Sequence, residues 1–272
     1  MKKFKLISWS FVVLNIVLFH GCEPSPKMVG YGSNEYSQLE FFGTNWNHDW
    51  LAEGYIGAWS GKNFSIARFA GIGDSSTLFP GFICKGDNSF GQCNLPNGGD
   101  LPPDIQLSLG FYHVVAWSSS SMDINTIYGT WGDNSHGQID IPSDITNSTI
   151  INDLKSGQGH NLAYVTDTSS IYDYYGNYMT YEYDVEKIIA WGDNTYGQCN
   201  IPPRLNPISD LININFIDAG ANHNIVVYDS AGQTKIIAWG DNTYGQSEIL
   251  IPDDLDSSEA IIDIQAGYNH NT

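Results

Sequence analysis

The chain has 272 residues and a net charge of −19 at neutral pH, although only 15% of its residues are charged. A polyanion repels nucleic acid backbones and anionic membrane surfaces, so the composition disfavours a nucleic-acid role. Solubility is the simplest interpretation of this charge, with a basic partner or bound cations as the alternative. The length allows one large all-β domain or two small domains. The 28 glycines and 16 tyrosines are typical of short strands joined by many turns.

The N-terminus carries a basic segment followed by an apolar one. Three lysines lie among the first five residues, and residues 6–19 form an apolar stretch that is too short for a comfortable membrane span. Gly21-Cys22 follows almost at once, and residues 23–26 form a polar tether. This order and length are typical of an export signal.

The Gly21-Cys22 pair resembles a bacterial lipoprotein signal, in which a small residue precedes the cysteine that becomes lipidated. On that resemblance we expect residues 1–21 to be a signal peptide and residues 22–26 a tether lipidated at Cys22. Residues 27–272 would then form a domain anchored at the cell envelope. An ordinary secretory signal, with a cysteine at this place by chance, is the alternative.

One motif recurs along the rest of the chain. A degenerate copy, YGSNEYSQL, is followed by KGDNSFGQCNLP, WGDNSHGQIDIP, WGDNTYGQCNIP and WGDNTYGQSEILIP. The glycines that open these loops are Gly32, Gly86, Gly132, Gly192 and Gly240, so the successive gaps are 54, 46, 60 and 48 residues. Such gaps match one four-stranded propeller blade at the long end of its range.

Each unit has the same internal order. In one clear copy, an alternating apolar run over residues 214–219 ends at Gly220, and His223 stands three residues later. A second apolar run, a turn and a third run lead to Trp239 and the Gly-Asp-Asn loop, and a segment ending in Ile-Pro closes the unit. Four short strands separated by turns predict a hairpin-built blade rather than a βαβ unit. The same Gly-x-x-His element recurs at Gly110 with His113, Gly157 with His160, and Gly267 with His270.

The recurring residues have mechanical explanations. A glycine permits a positive φ or a close backbone approach, and the following aspartate accepts backbone N–H groups in a tight turn. The tryptophan suits the gap between neighbouring blades, and the closing proline suits an edge strand. We therefore assign structural roles in the repeat to Gly86, Asp87, Trp131, Gly132, Asp133, Trp191, Gly192, Asp193, Trp239, Gly240 and Asp241, together with His113, His160, His223 and His270.

The WGDNTYGQ motif with its Gly-x-x-His element resembles the regulator of chromosome condensation repeat family. The Ile-Pro ending and the export signal resemble its bacterial members. The resemblance covers residues 27–272 and implies an all-β fold, a β-propeller usually of seven blades. It implies little about function, since the family includes a nucleotide exchange factor, a photoreceptor and secreted inhibitors of β-lactamases.

About five repeats are present, and the ring can be completed in two ways. Residues 267–272 begin a blade, and residues 27–32 align with residues 235–240, so the two ends could share one blade of a five-bladed ring. We favour instead an incomplete seven-bladed ring, which would expose strand edges. Residues 41–82 depart from the repeat pattern as a decayed blade or a distinct surface, with His48 as a displaced member of the histidine series.

The domain holds three cysteines, Cys84, Cys93 and Cys199. The first two flank one loop and could face each other across a hairpin, whereas Cys93 and Cys199 occupy the same place in two repeats and should lie apart. No pair has the Cys-x-x-Cys spacing of a zinc site. An odd number of cysteines outside the reducing cytosol leaves one unpaired, and free buried thiols are favoured over a zinc site.

Ligand and catalytic sites are not indicated. The recurring histidines could suggest a metal ring, but blade-to-blade spacing makes joint ligation difficult and structural hydrogen bonding is favoured. The Asp-Asn loops lack the alternating oxygen ligands of calcium loops. No nucleophile elbow, P-loop or dinucleotide fingerprint is present, so we expect no enzyme activity, metal or cofactor. A tyrosine-rich insertion could contact protein or glycan, or pack on its own blade, through Tyr172, Tyr174, Tyr175 and Tyr178.

Three hypotheses for function remain. The first is a non-enzymatic exported monomer that binds an unidentified protein through its loop face, as a scaffold or inhibitor-like module. The second is a guanine-nucleotide exchange factor for a small GTPase, which the family resemblance implies and the export signal disfavours. The third is a glycan-binding protein or atypical hydrolase, suggested only by the aromatic patches and by the divergent segment of residues 41–82.

Overall fold

The structure is a computed structural model. It describes residues 12–13, 31–32, 35, 55–69, 81–99, 101–102, 105–118, 127–146, 148–168, 171–172, 178–179, 184–208, 212–249 and 261–272. The predicted lipidation site Cys22, its tether, His48, Tyr174 and Tyr175 lie outside these residues. Among the residues described, no helix is long and apolar enough to cross a membrane.

The described elements are almost entirely strands. In chain order they are β1 (Val12–Val13), β2 (Tyr31–Gly32), β3 (Tyr55–Ser60), β4 (Phe64–Phe69), β5 (Gly81–Gly86), β6 (Gln106–Leu109), β7 (His113–Trp117), β8 (Ile127–Gly132), β9 (Thr149–Ser156), β10 (His160–Thr168), β11 (Ile171–Tyr172), β12 (Tyr178–Met179), β13 (Asp184–Gly192), β14 (Ile212–Ala219), β15 (His223–Ser230) and β16 (Gln233–Gly240). A short 3₁₀ segment, Pro96–Gly99, follows the first Gly-Asp-Asn loop.

The strands form four antiparallel three-stranded sheets, which confirms the all-β, blade-built fold. Blade 1 has the order β3-β4-β5, blade 2 β6-β7-β8, blade 3 β9-β10-β13 and blade 4 β14-β15-β16. The remaining pairs are β1 with β2, and β11 with β12 inside the insertion of blade 3. Residues 261–272 supply the beginning of a fifth unit, in which Ala266 bridges to Asn271.

Each blade has three regular strands in the described residues rather than the four expected. In blade 3 the closing segment still lies along the outer edge of β13. The Ile188 N–H donates to the Leu205 carbonyl at 3.0 Å, and the Ile208 N–H donates to the Glu186 carbonyl at 2.9 Å. This segment contains Pro202, Pro203 and Pro207. Because proline has no N–H, it interrupts the ladder that a fourth strand would need.

The register brings the recurring elements of each repeat to one end of its blade. His113 pairs with Gly132, His160 with Gly192, and His223 with Gly240. The turn between the first and second strands and the Gly-Asp-Asn loop after the third strand therefore lie on the same face. We call this the loop face, which comprises residues 61–63, 86–94, 110–112, 132–140, 157–159, 192–200, 220–222, 240–248 and 267–269.

The middle strands are covered on both sides by neighbouring blades. All five residues of β7 and the first six of β15 are buried. One cluster joins Leu162 and Ile188 of blade 3 to Ile217, Val226 and Trp239 of blade 4. Strands buried on both faces have continuous rather than alternating apolar runs, as the sequence HNIVVYDS of β15 shows.

Residues 41–82 contain a regular blade strand pair where the sequence pattern indicated a departure. Phe64 occupies the position of the recurring histidine, because it pairs with Gly86 as His113 pairs with Gly132. The Gly61 N–H donates to the Phe64 carbonyl at 2.9 Å, as the Gly110 N–H does to His113. Within the described residues, the histidine position of blade 1 is therefore occupied by Phe64, whereas His48 lies outside them.

The interpretation of the cysteines as free thiols is wrong for two of the three. Cys84 and Cys93 form a disulfide with their Cα atoms 5.3 Å apart, which joins β5 to the loop that follows it. Cys199 is a free thiol, and its Sγ lies 3.2 Å from the Asp193 carbonyl oxygen. Burial raises the pKa of the Cys199 thiol to about 12, so it is protonated at neutral pH.

Candidate functional site

The Gly-Asp-Asn loops are stabilised by their own side chains. In all four, the aspartate accepts the N–H of the residue two positions later, for example Ser135 to Asp133 at 3.0 Å and Thr243 to Asp241 at 2.9 Å. Asp87 and Asp193 accept in the same way. The next residue, asparagine, accepts the N–H five positions later, as in Asn194 with Cys199 at 2.9 Å. Each loop is therefore a turn held by hydrogen bonds from its own backbone to its own side chains.

The glycine that opens each loop has a positive φ, with values of 117° at Gly86, 102° at Gly132, 100° at Gly192 and 106° at Gly240. A side chain there would also collide with the backbone of the neighbouring turn. A Cβ on Gly240 would lie 2.5 Å from the Asn222 carbonyl oxygen. Both the conformation and the close approach therefore require glycine.

Each loop displays one exposed ring at its tip. A buried glutamine fixes the tip, since the Tyr196 N–H donates to Gln198 Oε1 and the Tyr244 N–H to Gln246 Oε1, both at 2.8 Å. The rings themselves are 49% exposed at Tyr196, 71% at Tyr244 and 48% at Phe90. His136 occupies the tip in blade 2 and is also exposed. Large apolar rings held in solvent by an ordered turn are typical of an interaction surface.

One of these tip rings, that of Phe90, also belongs to a group of four rings on the same face, near the axis of the propeller. We call Phe90, Phe111, Tyr112 and Tyr268 the aromatic cluster. Their ring centroids are 5.0 Å apart for Phe90 and Tyr112, 6.4 Å for Phe111 and Tyr112, and 5.8 Å for Phe111 and Tyr268. The last pair joins blade 2 to the fifth unit, so the cluster combines residues of repeats that are not consecutive.

Lys62 extends over this cluster. Its Nζ lies 5.4 Å from the centroid of the Phe111 ring and 5.5 Å from that of Tyr112. Both distances are within the range at which an ammonium group is attracted by the face of an aromatic ring. The cluster therefore already holds one cation from its own chain.

A cavity of about 490 Å³ lies beside the aromatic cluster at the propeller axis. Its wall includes the glycines of the first turn of every unit, Gly61, Gly110, Gly157, Gly220 and Gly267. These glycines stack from one unit to the next: a Cβ on Gly61 would lie 2.7 Å from the Gly110 carbonyl oxygen, and one on Gly220 would lie 2.5 Å from that of Gly267. The absence of side chains there sets the close spacing of the blades.

The recurring histidines hydrogen-bond across the blade interfaces. His113 Nε2 lies 2.9 Å from Asn161 Oδ1, and His160 Nε2 lies 2.8 Å from Asn224 Oδ1. His223 Nε2 lies 2.8 Å from Asn271 Oδ1. Each asparagine stands directly after the histidine of its own repeat or of the fifth unit. The histidine of one blade thus pairs with the asparagine of the next.

The direction of these hydrogen bonds follows from the bond that the side-chain amide nitrogen of each asparagine makes. Asn161 Nδ2 donates to the Gln138 carbonyl at 2.8 Å, and Asn224 Nδ2 donates to the Gln198 carbonyl at 2.7 Å. The amide oxygen must then accept, so the histidine donates from Nε2 in its neutral form. Burial lowers the pKa of His113 and of His160 to about 4, which agrees with neutral rings at pH 7.

The repeat tryptophans reach the same glutamine carbonyls. Trp131 Nε1 donates to Gln92 at 2.9 Å, Trp191 to Gln138 at 3.1 Å and Trp239 to Gln198 at 3.0 Å. Each bond crosses from one blade to the preceding one. The tryptophans therefore lie between blades, where the sequence pattern placed them.

The charge on the loop face is predominantly negative. The four loops described carry six carboxylates, those of Asp87, Asp133, Asp140, Asp193, Asp241 and Glu248. Asp140 and Glu248 are exposed, and each accepts a hydrogen bond from the loop asparagine six positions earlier. Against them, the described residues of this face and the strand ends beside it carry Lys62, Lys85 and Lys155, and Lys155 pairs with Asp153 at 3.2 Å. In the part of the chain that the structure describes, no three metal-ligating side chains converge.

The structure brings together most of the predicted site residues. The glycines, aspartates, tryptophans and three histidines lie at or between the loop-face ends of the blades, and His270 continues the series, with its carbonyl accepting the Gly267 N–H at 2.7 Å. The aromatic tips were not predicted as a surface. A signal for them exists, since the position after Asn-Ser, Asn-Thr or Asn-Glu is Tyr36, Phe90, His136, Tyr196 or Tyr244 in the five copies.

Comparisons with known proteins support the fold. No protein-family model and no curated protein matches the chain. Among solved structures, the chain is similar to the CRINKLY WD40 ectodomain of the Arabidopsis thaliana receptor kinase ACR4, with a TM-score of 0.52 and 14% identity over 95% of this chain and 71% of that one. For the ectodomain of the Physcomitrella patens receptor kinase CR4 the TM-score is 0.52 and the identity 14%, over 94% of this chain and 54% of that one.

A third similar structure is that of Prp20p from Saccharomyces cerevisiae, which was reported with its binding properties to Gsp1p and histones. The TM-score is 0.50 and the identity 15%, over 89% of this chain and 64% of Prp20p. The chain thus spans less than two thirds of both CR4 and Prp20p. At these identities the similarity concerns the fold alone, and together with the blades described above it shows that the chain has a β-propeller fold.

Proposed function

We propose that this chain is a non-enzymatic propeller that binds another protein through its loop face. The observation that carries the proposal is the exposed ring at the tip of each described loop, on turns that are held by hydrogen bonds within the loop. Exposed aromatic side chains on a rigid support bury large areas with little loss of conformational entropy when a partner binds. The repeat motif supports membership of the regulator of chromosome condensation repeat family, in its bacterial branch.

We also propose that the protein acts outside the cytoplasm as a lipid-anchored monomer. The basic and apolar segments of residues 1–21 and the Gly21-Cys22 pair support this placement. Incorporation of a labelled fatty acid into the full chain, and its loss in Cys22→Ala, is the expected result. Export with equal labelling of both chains would contradict the anchor at Cys22.

The binding proposal is tested with paired variants. Tyr196→Ser combined with Tyr244→Ser removes two exposed rings from the loop face. Tyr128→Ser is the matched control, because Tyr128 is 38% exposed and lies near the start of β8, at the opposite end from the loop.

Quantitative capture from envelope extract should recover the same proteins with the wild type and with the control. The amount of partner recovered with the double variant should fall at least about tenfold, because buried aromatic anchors at an interface each contribute on the order of 2 kcal/mol to the binding free energy. Equal recovery by all three proteins would show that the loop face is not the binding surface.

A further inference from the structure

We propose that the loop face recognises an arginine- or lysine-rich segment of its partner, which lies across the aromatic cluster and the acidic loops around it. This inference rests on the proposed function and specifies the chemistry of the partner. Two independent features of the face carry it, its charge and its arrangement of rings.

The charge favours a basic occupant. Six carboxylates lie on the four described loops, and the chain as a whole has a net charge of −19. The loop carboxylates need no bound cation to hold their geometry, since their hydrogen bonds are made within each loop. Two of them, Asp140 and Glu248, are exposed, so their negative potential reaches solvent, where it accelerates the approach of a basic partner and disfavours an acidic one.

The rings supply the contact chemistry for such a partner. The position of Lys62 over Phe111 and Tyr112 shows that an ammonium group fits against this cluster. Phe90 and Tyr268, at the two ends of the cluster, are 48% and 41% exposed. Arginine side chains stack on aromatic rings and also pair with carboxylates, and both kinds of group lie on this face.

The chain itself provides substitutions that remove charge without changing the loop. Asp140 Oδ1 accepts from Asn134 Nδ2 at 2.9 Å, and Asn200 Oδ1 accepts from Asn194 Nδ2 at 3.0 Å at the same place in another blade. Asp140→Asn therefore keeps the acceptor that the loop uses. Glu248→Gln likewise keeps the oxygen that accepts from Asn242.

Binding is measured by fluorescence anisotropy of the full chain with a labelled peptide of alternating arginine and serine. A peptide with glutamate in place of arginine is the reference. The arginine peptide should bind and the glutamate peptide should not, and salt raised from about 0.05 M to about 0.5 M should weaken binding by screening. Asp140→Asn with Glu248→Gln should weaken binding about threefold to tenfold.

A matched charge control comes from the opposite end of the blades. Glu186→Gln with Asp229→Asn removes two carboxylates near the start of β13 and the end of β15, and should change binding less than about twofold. The double variant Phe90→Ser with Tyr268→Ser should also bind the arginine peptide more weakly than the wild type. The control Tyr128→Ser should bind it as the wild type does. Lys62→Ala removes the competing cation and should tighten binding about twofold.

Equal binding of the two peptides, or equal loss in the two carboxylate pairs, would overturn the inference. Weaker binding by Lys62→Ala would also contradict a cation site on the cluster. If the envelope proteins still require Tyr196 and Tyr244 while the arginine peptide does not bind, the loop face binds protein of another chemistry. If the envelope proteins do not require Tyr196 and Tyr244 and the arginine peptide does not bind, the proposed function fails as well.

Discussion

At the position of the recurring histidine, the first described interface between blades is apolar, whereas the next three are polar. In the first, Phe64 of blade 1 and Val114 of blade 2 are fully buried in one cluster. In the others, a histidine donates to the asparagine of the following repeat, as His160 does to Asn224. Phe64 stands where the histidine stands, and Val114 stands where the asparagine stands. In the first interface, both members of the histidine–asparagine pair are therefore replaced by apolar residues.

This difference shows that the histidine and asparagine act as a pair. Buried polar groups are stable when both partners are present, and a lone buried donor or acceptor is costly. Replacing both by apolar residues removes that cost, so either solution is compatible with the same backbone. The glycine contacts and the tryptophan bond are common to the two kinds of interface, since Trp131 still donates to the Gln92 carbonyl in the first.

The largest effect should come from the contact that both kinds of interface share. A methyl group on Gly220 would lie 2.5 Å from the Gly267 carbonyl oxygen, and one on Gly61 would lie 2.7 Å from that of Gly110. Both Gly220→Ala and Gly61→Ala should therefore lower the free energy of unfolding by about 3–4 kcal/mol in urea titrations. Gly129→Ala is the control, because apart from its two chain neighbours no residue has a heavy atom within 4 Å of the added methyl group, and its change should stay below about 1 kcal/mol.

Converting a polar interface to the apolar kind should show the pairing directly. His160→Phe leaves Asn224 Oδ1 without its donor, and Asn224→Val leaves His160 Nε2 without its acceptor, so each should cost about 2–4 kcal/mol. The double variant reproduces the first interface and should recover about 1–3 kcal/mol of coupling in a double-mutant cycle. Additive losses would show that the two residues act independently.

The disulfide is a further property of blade 1 alone among the described blades. It closes a loop with a sequence separation of 9. Cys84→Ala with Cys93→Ala should therefore lower the free energy of unfolding by about 2–3 kcal/mol, because the unfolded chain gains conformational entropy without the crosslink. Cys199→Ser should change stability by less than about 0.5 kcal/mol, because Ser247 stands at the same place and its Oγ donates to the Asp241 carbonyl at 2.9 Å. Urea titrations under oxidising conditions compare the three proteins, and a stable double alanine variant would exclude a stabilising role.

The pH dependence of stability should differ between the two kinds of interface. Burial lowers the pKa of His113 and His160 to about 4, so the unfolded chain binds more protons between pH 6.5 and 4. Their contribution is complete above pH 6.5 and is lost as the pH falls through that range. Asp218 acts in the opposite direction, since burial raises its pKa to about 6 and stability then rises as the pH falls below 6.

The double variant His160→Phe with Asn224→Val removes one of these titrating histidines. Its loss of stability between pH 6.5 and 4 should be smaller than that of the wild type by on the order of 2 kcal/mol. Urea titrations at constant ionic strength provide the measurement. Identical pH profiles of the two proteins would mean that His160 has the same pKa in the folded and the unfolded chain.

Much of the fold could be predicted because its signals are local. The positive φ of Gly132 and the turn bond to Asp133 involve residues adjacent in the chain, and they recur in four loops. Blade 1 was missed as a regular unit because the prediction looked for histidine at its second strand. A phenylalanine gives no local sign that it replaces a hydrogen-bonding partner, since that partner lies 50 residues away at Val114.

The surface could be predicted only in part, because exposure and proximity depend on how blades pack. The tip rings recur at one position of the motif, so a pattern search could find them. The stacking of Phe111 on Tyr268 could not be found in this way, as these residues come from the second and fifth units. The pairing of Cys84 with Cys93 was one of two open interpretations, which the approach of β5 to its loop decided.

By itself, the sequence determined the repeat, its strand order and the chemistry of each turn, because a period of about fifty residues records contacts made inside one unit. Only the tertiary structure decided which residues meet between units. In the structure, His113 hydrogen-bonds to Asn161, and the rings of the aromatic cluster lie together near the axis. Phe64 occupies the position that histidine has in the other blades. These contacts arise from the stacking of glycine-lined turns across blades, where residues far apart in the chain share a boundary that no local pattern describes.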